Sequence, residues 1–140
     1  MNAKTFVDTN VLVYALDNRE EYKQEVAKRI LHDLSQQRSG TLSMQVLQEF
    51  YNTVTRKIAI PLPKDEARGV VEDFAYWCVA TTPEEIKLAF QIEDEARISF
   101  WDALIFAAAI KSGAKRILSE DLNDGQVIAG IQVVNPFVLR

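Results

Sequence analysis

The chain has 140 residues, 48% hydrophobic and 26% charged, with only 5 Gly and 4 Pro, which suits one globular domain over 1–140 and excludes a low-complexity protein. Its net charge of −4 excludes a broad basic nucleic-acid surface, although a nuclease with a divalent cation in an acidic pocket stays compatible. One cysteine (Cys78), one histidine (His32), no bilayer-long apolar run and no signal-peptide pattern exclude an internal disulfide, a multi-histidine zinc site and a membrane span, and make the cytoplasm the expected compartment.

Thr5-Phe6-Val7 has the β-branched and aromatic character of a buried first strand, and Asp8-Thr9-Asn10 marks its passage into a short helix ending near Leu16. A longer amphipathic helix is predicted from Glu20 to about Gln37, with Tyr22, Val26, Ile30 and Leu34 on its inner face and His32 exposed. Thr41-Leu42-Ser43 is a short second strand, and Ser43 caps a helix running to about Ile58 with Val46, Leu47, Phe50, Val54 and Ile58 inward. Pro61-Leu62-Pro63 stops that helix. Lys64 to about Tyr76 is helical again, and Trp77-Cys78-Val79-Ala80 is a candidate third strand.

Thr82-Pro83-Glu84-Glu85 carries an N-cap, a first-turn proline and a capping-box glutamate for a helix to about Ala96. Ser99 opens the most apolar helix, which stops near Ser112-Gly113 and should be packed on more than one side, between the sheet and another helix or in a dimer interface. Arg116-Ile117-Leu118 is the fourth strand, Ser119–Gly125 a polar loop, and Ile131–Val134 the fifth strand. Short apolar strands alternating with helices indicate an α/β fold, a parallel sheet of about five strands with helices on both faces. The order of the strands is not readable from the pattern.

Four acids in separate stretches fall at strand ends or helix starts: Asp8 after the first strand, Glu49 in the helix after the second, Asp102 in the first turn of the apolar helix, and Asp121 after the fourth strand, with Asp124 nearby. In a doubly wound sheet these positions face one edge. Carboxylates gathered there repel one another unless a cation lies between them, and hard oxygen donors without His or Cys favour Mg²⁺ or Mn²⁺. Such an ion suits phosphodiester hydrolysis. Each acid also has a plainer role: Asp8 as a helix cap, Glu49 as a solvated surface acid, Asp102 as a first-turn acid favoured by the helix dipole, Asp121 and Asp124 as turn residues. Lys4, Arg56, Lys57, Arg97, Lys115 and Arg116 are candidate phosphate contacts, though most read as ordinary surface charge.

Phe6-Val7-Asp8-Thr9-Asn10, Glu49, Phe100-Trp101-Asp102-Ala103-Leu104-Ile105 and Leu118-Ser119-Glu120-Asp121 resemble, in order, the acidic motifs of PIN-domain ribonucleases, with greatest similarity to the single-domain toxins of VapBC-type toxin–antitoxin pairs. The resemblance implies an α/β/α sandwich, one or two Mg²⁺ or Mn²⁺ ions, and endonucleolytic cleavage of RNA, frequently by a homodimer. It assigns Asp8, Glu49, Asp102 and Asp121 as the acidic catalytic and metal site, with Asn10 and Ser119 supporting and Asp124 as an accessory acid. It also implies a cognate antitoxin whose C-terminal tail blocks the site. A haloacid-dehalogenase phosphatase fits less well, since it needs a second Asp where Asn10 stands, and a phosphoryl-receiver domain lacks its paired acids. The remaining alternative is a PIN-like module that binds RNA or a partner without cutting.

Overall fold

The computed structural model describes residues 3–138. The chain runs β1 (Lys4–Val7), α1 (Thr9–Leu16), α2 (Glu21–Gln37), β2 (Gly40–Thr41), α3 (Met44–Asn52), a π-helical turn (Thr53–Lys57), α4 (Lys64–Phe74) and a 3₁₀ turn (Ala75–Trp77). It continues through α5 (Pro83–Ala96), α6 (Phe100–Ser112), β3 (Ala114–Leu118), β4 (Val127–Ile128) and β5 (Ile131–Val134). Local chemistry sets most of these boundaries. The Ser43 hydroxyl accepts from Val46 N–H, Thr82 and Glu85 close a complete capping box, Ser99 Oγ accepts from Asp102 N–H, and Gly113 ends α6 at φ 81°.

Five strands form one sheet in the order β2-β1-β3-β5-β4, parallel throughout except for β4 against β5. From β1 the chain crosses to β2 on one side and later returns to β3 on the other. The β1/β3 junction is therefore the topological switch point, where a crevice opens beyond the strand carboxyl ends. Phe6, Val7, Ile117 and Val133 bury the sheet centre, and α6 packs between the sheet and α5, which accounts for its apolar character on most sides. No helix among the described residues is long and apolar enough to cross a membrane.

Two expectations are corrected. Trp77–Ala80 is not a strand of the sheet: Cys78 makes one parallel bridge to Leu42, because Trp77 is still in the 3₁₀ turn and the chain soon leaves to cap α5. The fifth strand is instead Val127–Ile128, paired antiparallel to β5 through a turn in which Ala129 (φ 52°) and Gly130 (φ 80°) both lie in the left-handed region. On α2 the correction is at Tyr22, which is exposed; Leu34 is buried and Val26 and Ile30 pack partly buried against the core as predicted, with Ala27 and Leu31 buried beside them.

Candidate active site

Asp8 and the Ser119–Asp121 turn follow β1 and β3 directly, so both lie at the switch point. Asp8 N–H donates to the Leu118 carbonyl (3.0 Å) and Ser119 N–H to the Val134 carbonyl (3.0 Å), which extends the ladder one residue past the strands. Asp8 is 7% exposed and Ser119 fully buried. The Ser119 hydroxyl donates to Asp8 Oδ2 (2.7 Å) and accepts from Asp121 N–H (3.1 Å) and Leu122 N–H (3.3 Å). One small side chain thus fixes the Asp8 carboxylate and the Asp121 backbone together.

Asn10 makes the second link. Its Nδ2 lies 3.4 Å from Asp8 Oδ2, 3.4 Å from Ser119 Oγ and 3.3 Å from Asp121 Oδ2, while its Oδ1 accepts from Glu120 N–H (3.1 Å). Thr9 makes the third, donating its N–H to Asp8 Oδ1 (2.8 Å) and its hydroxyl to Glu49 Oε2 (2.9 Å). Asp8 is therefore an N-cap as well as a member of an acidic group; the two readings are compatible because its two oxygens serve different partners. Burial, the largest cause, pushes the Asp8 carboxyl up to about 6, and the charges of Asp121 and Glu49 push the same way, against the Ser119 and Thr9 hydrogen bonds.

The structure brings together Asp8, Asn10, Glu49, Ser119 and Asp121. Asp102 stands at the start of α6, its N–H capped by Ser99 Oγ (3.1 Å), and it is linked to the others indirectly. Gln45 Nε2 donates to Glu49 Oε1 (3.1 Å) and to the Trp101 carbonyl (3.3 Å), tying α3 to the first turn of α6. Asp124 accepts from Asn135 N–H (2.8 Å) and so holds its loop against the segment after β5. Thr9 and Gln45 were not singled out by sequence reasoning. The signals were present, in the triplet Asp8-Thr9-Asn10 and in the four-residue spacing from Gln45 to Glu49, but neither residue type announces its partner.

A cavity of about 430 Å³ opens beside these carboxylates, lined among others by Asn10, Tyr14, Glu49, Lys57, Glu120 and Asp121. One wall is held by Glu120, which accepts from Tyr14 Oη (2.5 Å) and pairs with Lys23 Nζ (2.7 Å), so Lys23 is already engaged. Ser119→Ala should expose the weight of the hydroxyl. It leaves Asp8 without its shortest donor and two N–H groups without an acceptor, and is expected to cost about 2–3 kcal/mol in urea unfolding at neutral pH.

An open, mostly parallel sheet with carboxylates at its switch point defines a class: an α/β protein whose ligand site lies on the carboxyl edge of the sheet. The PIN domain model matches residues 5–125, and the chain belongs to the PIN-domain family, whose members are generally nucleases. Three solved structures are similar in fold. A chain of FitAB bound to an IR36 DNA fragment is 20% identical with a TM-score of 0.70, covering 97% of each chain. A chain of DNA-bound VapBC from Salmonella typhimurium is 22% identical with a TM-score of 0.62, covering 94% of this chain and 97% of that one. A chain of VapBC2 from Rickettsia felis, bound to a DNA fragment from their promoter, is 17% identical with a TM-score of 0.62, covering 92% and 96%. Comparison with curated protein sequences gives no match.

Proposed function

We propose that the protein is a metal-dependent endoribonuclease and the toxin of a toxin–antitoxin pair. The observation that carries the nuclease reading is the convergence of Asp8, Glu49 and Asp121 at the switch point, with the Asp8 carboxyl pushed up to about 6 by burial and by both neighbours. Fold similarity to chains of the FitAB and VapBC complexes along nearly their whole length supports the toxin role and an antitoxin partner. A homodimer and a cytoplasmic location are part of the same proposal.

PIN nucleases typically use divalent metal ions. The donors here are carboxylate oxygens without His or Cys, and their mutual repulsion is what a cation relieves, so the residues fit Mg²⁺ or Mn²⁺. Among the described residues no group of three or more acidic, histidine or cysteine side chains is already arranged to hold a metal ion, so in the proposal the carboxylates reach the ion directly or through its waters. Asp8, Asp102, Asp121 and Glu49 are the residues that would hold it. When bound, the ion supplies charge neutralisation at a phosphate oxygen and a lowered pKa for water. Ser119 and Asn10 orient Asp8 and Asp121, while Thr9 and Gln45 hold both oxygens of Glu49. In the proposed reaction, water attacks phosphorus in line and the leaving RNA oxygen departs on the far side.

The test is incubation of purified protein with a mixed cellular RNA pool in Mg²⁺, in Mn²⁺ and in chelator. Discrete products only with metal are expected; no cleavage in any condition would remove the enzyme reading. A second reading, RNA or partner binding without cleavage, is favoured by one observation: the charges that act on Asp8 are those of Asp121 and Glu49, while the first turn of α6 that carries Asp102 is tied to this group through Gln45 and the Trp101 carbonyl. Binding of labelled RNA by a wild type that cleaves in no condition would establish this second reading, and Asp102→Asn tests the place of Asp102 in the first. For a nuclease it lowers cleavage at least about a hundredfold with unfolding unchanged, whereas an unaffected rate removes Asp102 from the site.

A further inference from the structure

We infer that Lys57, rotated to the acidic cavity by the π-helical turn that ends α3, is the cation that seats a phosphate of the RNA strand beside the carboxylates. The inference rests on the nuclease reading and names a substrate-positioning residue within it. In an uninterrupted α-helix, position 56 would lie about 20° around the axis from Glu49 and position 57 about 80°. The basic side chain sharing the Glu49 face would then be Arg56.

The chain does not continue that way. Residues Thr53–Lys57 form a π turn, with Ile58 N–H donating to the Thr53 carbonyl five residues back (3.2 Å). The turn absorbs one extra residue, so position 57 takes the place that 56 would have held. The cavity wall follows this shift: Glu49, Asn52, Thr53 and Lys57 line it, and Arg56 does not. Leu62 N–H donates to the Val54 carbonyl (2.8 Å) and Val54 is fully buried, so the turn is held by the core and by the chain that follows.

Charge assigns Lys57 its role. Among the described residues, Lys57 is the only lysine or arginine lining this cavity, against Asp17, Glu49, Glu120 and Asp121. It is exposed and takes part in none of the ion pairs among the described residues, whereas the nearby Lys23 is committed to Glu120. An ammonium group at the rim of a carboxylate site suits a phosphodiester flanking the scissile one, because carboxylates alone repel the RNA backbone.

The test uses the full chain with the Asp8→Asn change as a non-cleaving background and a fluorescein-labelled single-stranded RNA of mixed sequence, in Mg²⁺ across a salt series. Adding Lys57→Ala is expected to weaken binding about tenfold and to reduce the slope of log K against log salt by about 0.7, one phosphate contact on a single strand. Lys57→Arg should keep most of the affinity, and Arg56→Ala should change it less than twofold. In the cleaving protein, Lys57→Ala should raise KM far more than it lowers kcat. A purely structural Lys57 would instead shift the thermal midpoint and leave the salt slope alone. Equal effects of Lys57→Ala and Arg56→Ala, or an unchanged slope with Lys57→Ala, overturn the inference while metal-dependent cleavage by the wild type still stands. A wild type that neither binds nor cleaves RNA overturns the nuclease reading and this inference with it.

Discussion

Asp8→Asn is expected to abolish RNA cleavage and, at pH 7.5 without metal, to make the protein more stable. Asp8 sits at the switch point of the sheet, joined to Ser119, Asn10 and Thr9 and facing the charges of Glu49 and Asp121. Its carboxylate is the one whose ionisation the fold opposes most clearly. Removing the charge relieves burial and repulsion, worth about 3 kcal/mol from the upward displacement of its carboxyl. Part of this returns as a cost. With Asn Oδ1 accepting from Thr9 N–H, Nδ2 faces a Ser119 Oγ already accepting from Asp121 N–H and Leu122 N–H. A net gain of about 1–2 kcal/mol is the expected balance. Urea unfolding and an RNA cleavage assay on one preparation check both halves. A variant that cleaves at the wild-type rate removes Asp8 from the chemistry, and one that is strongly destabilised shows that the charge is needed for folding.

The second large effect is a dependence of stability on pH that metal should erase. Burial holds the folded Asp8 carboxyl up at about 6, against about 3.8 for an unperturbed aspartate. A pKa raised on folding means that the folded state holds the proton more tightly. The contribution is therefore fully present below about 3.8 and lost as pH rises through about 6. In chelator, the wild type should lose about 2.4 kcal/mol relative to Asp8→Asn between pH 4 and pH 7.5. The difference between the two proteins is the useful reading, since other acids titrate in both. Millimolar Mg²⁺ or Mn²⁺ should raise the wild-type midpoint at pH 7.5, do little at pH 4.5 and leave Asp8→Asn almost unmoved. Parallel curves for the two proteins, with or without metal, would place the ion elsewhere.

Much of this molecule is legible locally. Ser43, Thr82 with Glu85, Ser99 and Gly113 stop and start helices through hydrogen bonds and backbone angles spanning a few residues, so their roles follow from sequence order. Alternation of short apolar runs with helices likewise implies an α/β sheet, because each strand must be buried on both faces. The Trp77–Ala80 stretch shows the limit of that logic. Its composition is that of a strand, yet only Cys78 pairs, since the neighbouring 3₁₀ turn and the cap of α5 claim the residues around it. Val127–Ile128 fails in the other direction, being too short to show a period and completed by an Ala-Gly turn with both residues at positive φ.

By itself the sequence determined the helices and their caps, the α/β class and the family motifs around Asp8, Glu49, Asp102 and Asp121, because these depend on neighbours a few positions away or on residue order. Only the tertiary structure decided which strands adjoin, and so that β1 and β3 form the switch point at which Asp8 and Asp121 meet. It also decided that Thr9 and Gln45 hold Glu49, and that Asp102 is reached through the Trp101 backbone. Among the basic residues it turned Lys57 rather than Arg56 to the cavity, through one π turn held by packing around Val54. Strand order and the rotation of a side chain about its helix are set by contacts between segments far apart in the chain, and no local pattern carries them.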